Sequence, residues 1–307
     1  SLSSDLAMEA MVQQEQPFPG MVTLAKQKLV KSNSHQDIKV VLEGNGGDEI
    51  GGGYQYYLGP HILDLIEKGE AEKGLRELKE FGRLNSLNSK QMTAKIFGSL
   101  AAYFKPGRSA DGTKSVREDC LRSDFLEQVV QQPMFNRPFH SNLLNMQYQD
   151  IFHTKLPRIL RSCDRAAMGY GREMRAPLLD HRLVEFSFSI PQSFKISGGV
   201  QRRFMRKILK DLNVDMQANI PKRAVVNPQR EWFQGPLKAW ILDVITSKYF
   251  KERGIFDVKK VHETFDRYTQ SSSNDNSFPV WQWISIELWY RTFIDCPSEV
   301  KIEVDDF

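Results

Sequence analysis

The chain has 307 residues, 40% of them hydrophobic and 26% charged, with 42 basic against 38 acidic side chains for a net charge of +4. That composition supports a packed core without metals or disulfides and excludes a disordered tail. The small, dispersed positive excess gives no reason to expect a nucleic-acid partner, and no run of about 18 apolar residues offers a membrane span.

Cys120, Cys163 and Cys296 are far apart, so they suggest neither a disulfide framework nor a paired zinc site. The N-terminus lacks the basic start and apolar core of a signal peptide. Together these features point to a reducing cytoplasm. Ser1-Leu2 reads as a cloning remnant.

In chain order, Pro19-Gly20 precedes a helix ending near residue 32, with Met21, Leu24, Ala25 and Leu29 on one face. Ile38-Lys39-Val40-Val41-Leu42 is the strongest strand signal. Residues 61–104 read as helices and 105–119 as a polar surface loop. Residues 141–170 read as helical with a break before Pro157. Further helices are predicted over 180–189, 201–212, 236–250 and 258–269. A polar loop over 271–277 precedes a last helix over 279–294, apolar on more than one face and hence deeply buried. One strand cannot make a sheet by itself. Either other strands are weakly signalled or part of a larger α/β domain lies outside the chain.

Three blocks carry candidate chemistry. The strand runs into Gly44-Asn45-Gly46-Gly47-Asp48-Glu49-Ile50-Gly51-Gly52-Gly53-Tyr54, where six of eleven residues are glycine against 20 in the whole chain. Glycines let the backbone take left-handed angles and approach a ligand closely. Loop amides form an anion-binding concavity, and ligands of α/β folds sit at the carboxyl ends of strands. Asp48 and Glu49 suit a hard cation such as Mg²⁺ beside phosphate oxygens. The alternative is a flexible turn with a solvated acidic pair.

The second block is Asp164-Arg165, followed by Arg172-Glu173-Met174-Arg175-Ala176-Pro177-Leu178-Leu179-Asp180-His181-Arg182. Glu173 lies between two arginines, which would keep it ionised. An ion-pair network leading to a helix capped by Asp180 explains the same residues. The third block is Ile220-Pro221-Lys222-Arg223 to Pro228, then Trp232-Phe233-Gln234-Gly235-Pro236-Leu237. Lys222 in a proline-bounded loop can reach a cleft as a point charge; a surface lysine is the plainer reading. Ser197-Gly198-Gly199-Val200-Gln201-Arg202 begins like a pyrophosphate-binding SGGxDS loop, but Gln201 and Arg202 replace its Asp and Ser, so it reads as a turn.

Taken in order, the three blocks resemble the C-terminal synthetase domain of the glutamine-dependent asparagine synthetases. The first is similar to that family's SG(E/D)G(A/S)DE and FGGY, and the second to DR-x-(S/A)-M and LE-x-R-x-PFLDHRLVEF. The third is similar to RPK-x-GF-xx-P and W(F/L)-x-GPL. The resemblance spans about residues 17 to 294. It implies a predominantly α-helical fragment of an α/β adenine-nucleotide-binding (PP-loop ATP pyrophosphatase) domain, with a parallel strand near 38–42. It also implies one domain over 1–307, truncated at its N-terminus.

In that family MgATP activates a carboxylate as an acyl-adenylate, which an amine captures. Ammonia comes from an N-terminal glutaminase domain. Carried over, Asp48 would meet Mg²⁺ or pyrophosphate. Gly44, Asn45 and Gly46 would line the nucleotide. Glu173 would act beside the reacting centre as orienter or base, and Lys222 would stabilise charge developing on adenylate and pyrophosphate. The family's SGGxDS loop and glutaminase domain are absent, so the chain reads as part of a longer protein, poorly binding ATP and inactive alone. Incomplete strands would leave an edge open to self-association.

Asn45 stands where asparagine synthetases have an acid, and Glu43 where they have serine. Asparagine from aspartate is the expected product. Another carboxylate, as in β-lactam synthetases and lasso-peptide cyclases, is the alternative, and a catalytically inactive binding module is a third reading.

Overall fold

The computed structural model describes residues 4–32, 37–105, 116–128, 135–214, 227–270 and 276–295. Helix α1 (Ser4–Gln14) and α2 (Val22–Ser32) lead into strand β1 (Val40–Leu42) and the short α3 (Gly47–Gly51). Then come α4 (Leu58–Glu67), α5 (Ala71–Leu84), α6 (Ser89–Phe104) and the single turn α7 (Ser123–Leu126). Helix α8 (Asn142–Gln149) passes through a π-helical turn at Asp150–Thr154 into α9 (Leu156–Met168). Pro157 sits in the first turn of α9, where its missing N–H costs nothing; this is the expected break.

Strand β2 (Glu173–Arg175), α10 (His181–Ser189), the β3 (Ile196–Ser197)–β4 (Val200–Gln201) hairpin and α11 (Arg203–Asp211) follow. The chain continues through α12 (Gln229–Gln234), α13 (Lys238–Thr246), α14 (Lys248–Glu252), α15 (Val258–Gln270) and α16 (Phe278–Tyr290).

One expectation needs correction, and one segment left open by the sequence is filled. The single helix expected over 236–250 is two, because Ser247 leaves helical geometry and caps α14 by accepting from Phe250 N. The N-terminal segment, unassigned from sequence, is helix α1, whose Ala7, Ala10 and Met11 are buried.

The C-terminal helices and α1 share the largest apolar cluster, centred on Phe233, Ile241, Phe265 and Trp281. Trp281 donates its indole N–H to Phe18 O at 2.7 Å, tying the ends of the described chain together. Helix α16 is buried on several sides, as its pattern predicts, and carries Glu287 inward between Arg253 at 3.1 Å and Arg291 at 2.8 Å. A second cluster joins α4, α5, α6 and α8 around Tyr57, Leu58 and Phe81. A third, with Ile50, Ile151, Leu156 and Phe204, lies under α3.

The missing strand partner is β2. It pairs with β1 in parallel, Val40 opposite Glu173, Val41 opposite Met174 and Leu42 opposite Arg175. One face of this pair presents Val40 and Leu42, the latter 71% exposed, beside the exposed Glu173 and Arg175. Parallel sheets are normally covered on both faces, so this pair is an uncovered part of its sheet among the described residues.

Candidate active site

The parallel pairing brings together two blocks that are far apart in sequence. Glu173 N donates to Lys39 O, and Glu43 N to Arg175 O, each at 2.9 Å. Both strands therefore end on the same edge. From that edge leave the glycine-rich loop and the segment Ala176-Pro177-Leu178-Leu179, a position where α/β folds bind ligands.

The loop is rich in glycine for two separable reasons. Gly46, at φ 92°, starts α3, and a Cβ there would lie 2.2 Å from Leu179 Cδ2. A Cβ on Gly47 would lie 2.9 Å from Leu178 Cδ1, and one on Gly53 2.0 Å from Asp48 Oδ1. Gly46 and Gly47 let the two blocks pack, and Gly53 makes room for the Asp48 carboxylate. Gly44 differs: it is exposed, has no positive φ, and its Cβ would meet nothing within 4 Å. Neither packing nor backbone angle requires glycine there, which leaves that stretch of backbone open to a ligand.

Asp48 lies in the first turn of α3, half-buried, with Arg202 Nη1 3.5 Å from its carboxylate. Arg202 itself takes a left-handed φ of 55° at the start of α11. No group of three His, Cys, Asp or Glu that could hold a metal occurs among the described residues. They make no metal centre of their own. A magnesium ion arriving on ATP brings phosphate oxygens and needs only one or two carboxylates, which Asp48 can offer.

Asn45 donates to Glu43 Oε1 at 2.5 Å, and its amide also faces Cys163 Sγ at 3.6 Å. Lys26 reaches the same sulfur. The two positions that depart from the asparagine synthetase pattern are thus engaged with each other.

Glu173 is exposed and held by Arg175, with Nε at 2.8 Å and Nη2 at 3.1 Å. Hydrogen bonding from Arg175, then its charge, lowers the carboxyl pKa. It stays ionised as expected, through the one neighbouring arginine. Asp180 accepts from Arg182 N at 2.9 Å and caps α10; bonds from Arg182 hold its pKa far below the usual carboxylate range. That residue performs the structural role considered for it. Lys222, with Pro221 and Arg223, lies outside the described residues. Among the block's described residues Phe233 and Leu237 belong to the core: Phe233 is fully buried and stacks on Trp281 at 6.3 Å.

The Ser197 to Arg202 segment is a turn, as its sequence indicates. Gly198 and Gly199, at φ 62° and 71°, close the β3–β4 hairpin. Their amides each donate at 2.8 Å to the buried carboxylate of Glu77 on α5. An internal carboxylate takes the donors that a phosphate loop would offer.

Sequence reasoning missed a polar network behind α3. Tyr54 donates to Glu49 at 2.7 Å; Tyr56 and Tyr57 donate to Asp150 at 2.6 and 2.7 Å. Lys155 donates to Tyr56 Oη at 2.9 Å and lies 3.2 Å from the centre of the Tyr54 ring. Burial raises the Glu49 pKa and lowers that of Lys155. The Tyr54, Tyr56 and Tyr57 spacing after an acidic pair was the available signal. Lys195 was also missed. It is fully buried, donates to Gln147 Oε1 at 2.9 Å, and has its pKa pushed down to about 7 by burial. Gln147 in turn donates to the backbone carbonyls of Glu49 and Ile50 in α3.

A helix-dominated chain with a small parallel sheet and a glycine-rich loop at its carboxyl edge defines an α/β domain of the PP-loop ATP pyrophosphatase type. The family model for asparagine synthase matches residues 4–291, and the chain belongs to that family. A putative asparagine synthetase [glutamine-hydrolyzing] of Mycobacterium tuberculosis is 26% identical over 276 residues, covering 87% of this chain and 41% of the relative. Asparagine synthetase [glutamine-hydrolyzing] 1 of Bacillus subtilis is 23% identical over 292 residues, covering 87% and 42%. Amidase chry2 of Gibberella zeae is 25% identical over 283 residues, covering 82% and 41%. The chain thus spans about two fifths of the length of the curated relatives it matches. No helix among the described residues is long and apolar enough to cross a membrane.

Proposed function

We propose that the chain is the synthetase part of an ATP-dependent, AMP-forming amide ligase that makes asparagine from aspartate. Glutamine, through an N-terminal glutaminase domain, or free ammonia supplies the nitrogen. The supporting observation is the parallel β1–β2 pairing, which sets the glycine-rich loop and the Glu173 block on one sheet edge. In this reading Gly44, Asn45 and Gly46 line the nucleotide, and Asp48 meets the magnesium carried by ATP. The carboxylate oxygen of aspartate attacks the α-phosphate, and pyrophosphate leaves. Ammonia attacks the acyl carbon and gives up one proton, and AMP departs with that oxygen. Glu173 orients the amine or takes a proton, and Lys222 stabilises the charge that develops on adenylate and pyrophosphate.

A second reading, amidation or cyclisation of a different carboxylate, draws on Asn45. An amide bonded to Glu43 stands where asparagine synthetases have an acid, and one relative is named an amidase. The test gives the full-length protein MgATP, glutamine or ammonia, and a panel of carboxylic acids. Aspartate-dependent pyrophosphate release with matching asparagine supports the first reading. Release with another acid and no asparagine sinks it in favour of the second. Release with none leaves the chain a binding module.

A further inference from the structure

Helix α2 carries Lys26 and helix α9 carries Cys163, and their side chains meet end to end beside the glycine-rich loop. Lys26 Nζ stands 2.6 Å from Cys163 Sγ. An N–H···O hydrogen bond runs about 2.7–3.2 Å; sulfur is the larger acceptor, so an N–H···S bond is longer still. The observed spacing is instead what two single bonds leave when they meet at one bridging oxygen. Cys163 is 2% exposed, and the other free cysteine among the described residues, Cys120, is engaged elsewhere with Thr264 and Lys260 O. Among the described residues Lys26, not a second thiol, is thus the neighbour of Cys163.

We propose that Lys26 and Cys163 are the two ends of an oxidation-dependent N–O–S crosslink, a covalent modification tying α2 to α9 beside Asn45. The oxidant is a peroxide. One peroxide converts the thiol to a sulfenic acid and leaves as water. Nζ releases a proton to solvent and then bonds to the sulfenic oxygen. The O–H hydrogen and one N–H hydrogen pass, with two electrons, to a second peroxide, which becomes two waters. The protein gains one oxygen and loses two hydrogens. Four electrons reach the two peroxides, and three waters form. A dithiol reductant reverses the step and returns thiol and amine.

The surroundings suit a slow, selective reaction. The thiolate is the form that attacks peroxide. Burial pushes the Cys163 thiol up, and Lys26, by hydrogen bond and charge, works against that. Asn45 faces the sulfur at 3.6 Å, so inserting an oxygen there disturbs a contact made by the candidate nucleotide loop.

The full chain is exposed to hydrogen peroxide, unfolded, alkylated with iodoacetamide, and examined as intact protein and as tryptic peptides. The expected product is about 14 Da heavier before alkylation, has one alkylatable cysteine fewer, and yields a linked peptide containing Lys26 and Cys163. Dithiothreitol separates that peptide. Lys26→Arg blocks the link and leaves oxidation on sulfur alone, and Cys163→Ser abolishes it. A Cys163 that stays fully alkylatable in the native sequence overturns the proposal. So does oxidation at sulfur with tryptic cleavage after Lys26 intact. Mass is the readout, so the outcome does not depend on the ligase reading.

Discussion

Lys195→Met replaces a buried cation by an apolar chain of similar length. The folded protein holds Lys195 with a pKa of about 7, against an ordinary 10.5. Between those values the unfolded state binds the proton and the folded state does not, so stability rises with pH across that window. At about 1.4 kcal/mol per pH unit, the folded state carries a penalty of about 4 kcal/mol at pH 7 and about 1.4 kcal/mol at pH 9.5. The variant removes the penalty. It also leaves Gln147 Oε1 without the bond from Lys195, a loss of about 1–3 kcal/mol. The net expectation is a gain of about 1–3 kcal/mol at pH 7 that falls to zero or below by pH 9.5. Urea unfolding of both proteins across that range measures it, because every other titrating group is common to the pair. A variant less stable at pH 7, or one with the same pH slope as the parent, would mean that Lys195 is not held neutral by burial.

Gly46→Ala forces a Cβ to within 2.2 Å of Leu179 at a φ of 92° and should cost at least about 1–3 kcal/mol. Gly44→Ala meets nothing within 4 Å and should leave the unfolding midpoint unchanged while weakening MgATP binding in the full-length protein; calorimetric titration separates the two. Lys222→Ala in the full-length protein should lower kcat more than it raises KM, since its charge acts in the transition state. An unchanged turnover number removes that role. Asp48→Asn should abolish activity, and any residue of it should need more magnesium. A magnesium titration matching the parent's excludes Asp48 as a contact of the metal.

Those substitutions fall on residues that differ in how plainly the sequence marks them. Ile38 to Leu42 is a β-branched run, and the strand was legible. Strand β2 is Glu173-Met174-Arg175, two charges around one methionine, and only its pairing with β1 makes it a strand. Local propensity says little for so short a segment because the partner supplies the hydrogen bonds. The glycine excess was legible as a feature, but its causes were not: Leu178 and Leu179, far along the chain, decide which glycines packing requires. Lys195 sits in an ordinary-looking Ser193-Phe194-Lys195-Ile196, and nothing local announces a buried amine. Lys26 and Cys163 are separated by 137 positions, so only the α2–α9 packing brings them together. The alanines and methionines of helix α1 carry a weak periodic signal, and burial against the C-terminal helices gives them their role.

The proposed chemistry activates a carboxylate by adenylation at the shared edge of β1 and β2. The full-length protein, given MgATP, a nitrogen donor and aspartate labelled with ¹⁸O in its side-chain carboxylate, tests it most directly. Adenylation yields asparagine, pyrophosphate, and AMP carrying one labelled oxygen per turnover. Unlabelled AMP, or ADP with phosphate in its place, would contradict it.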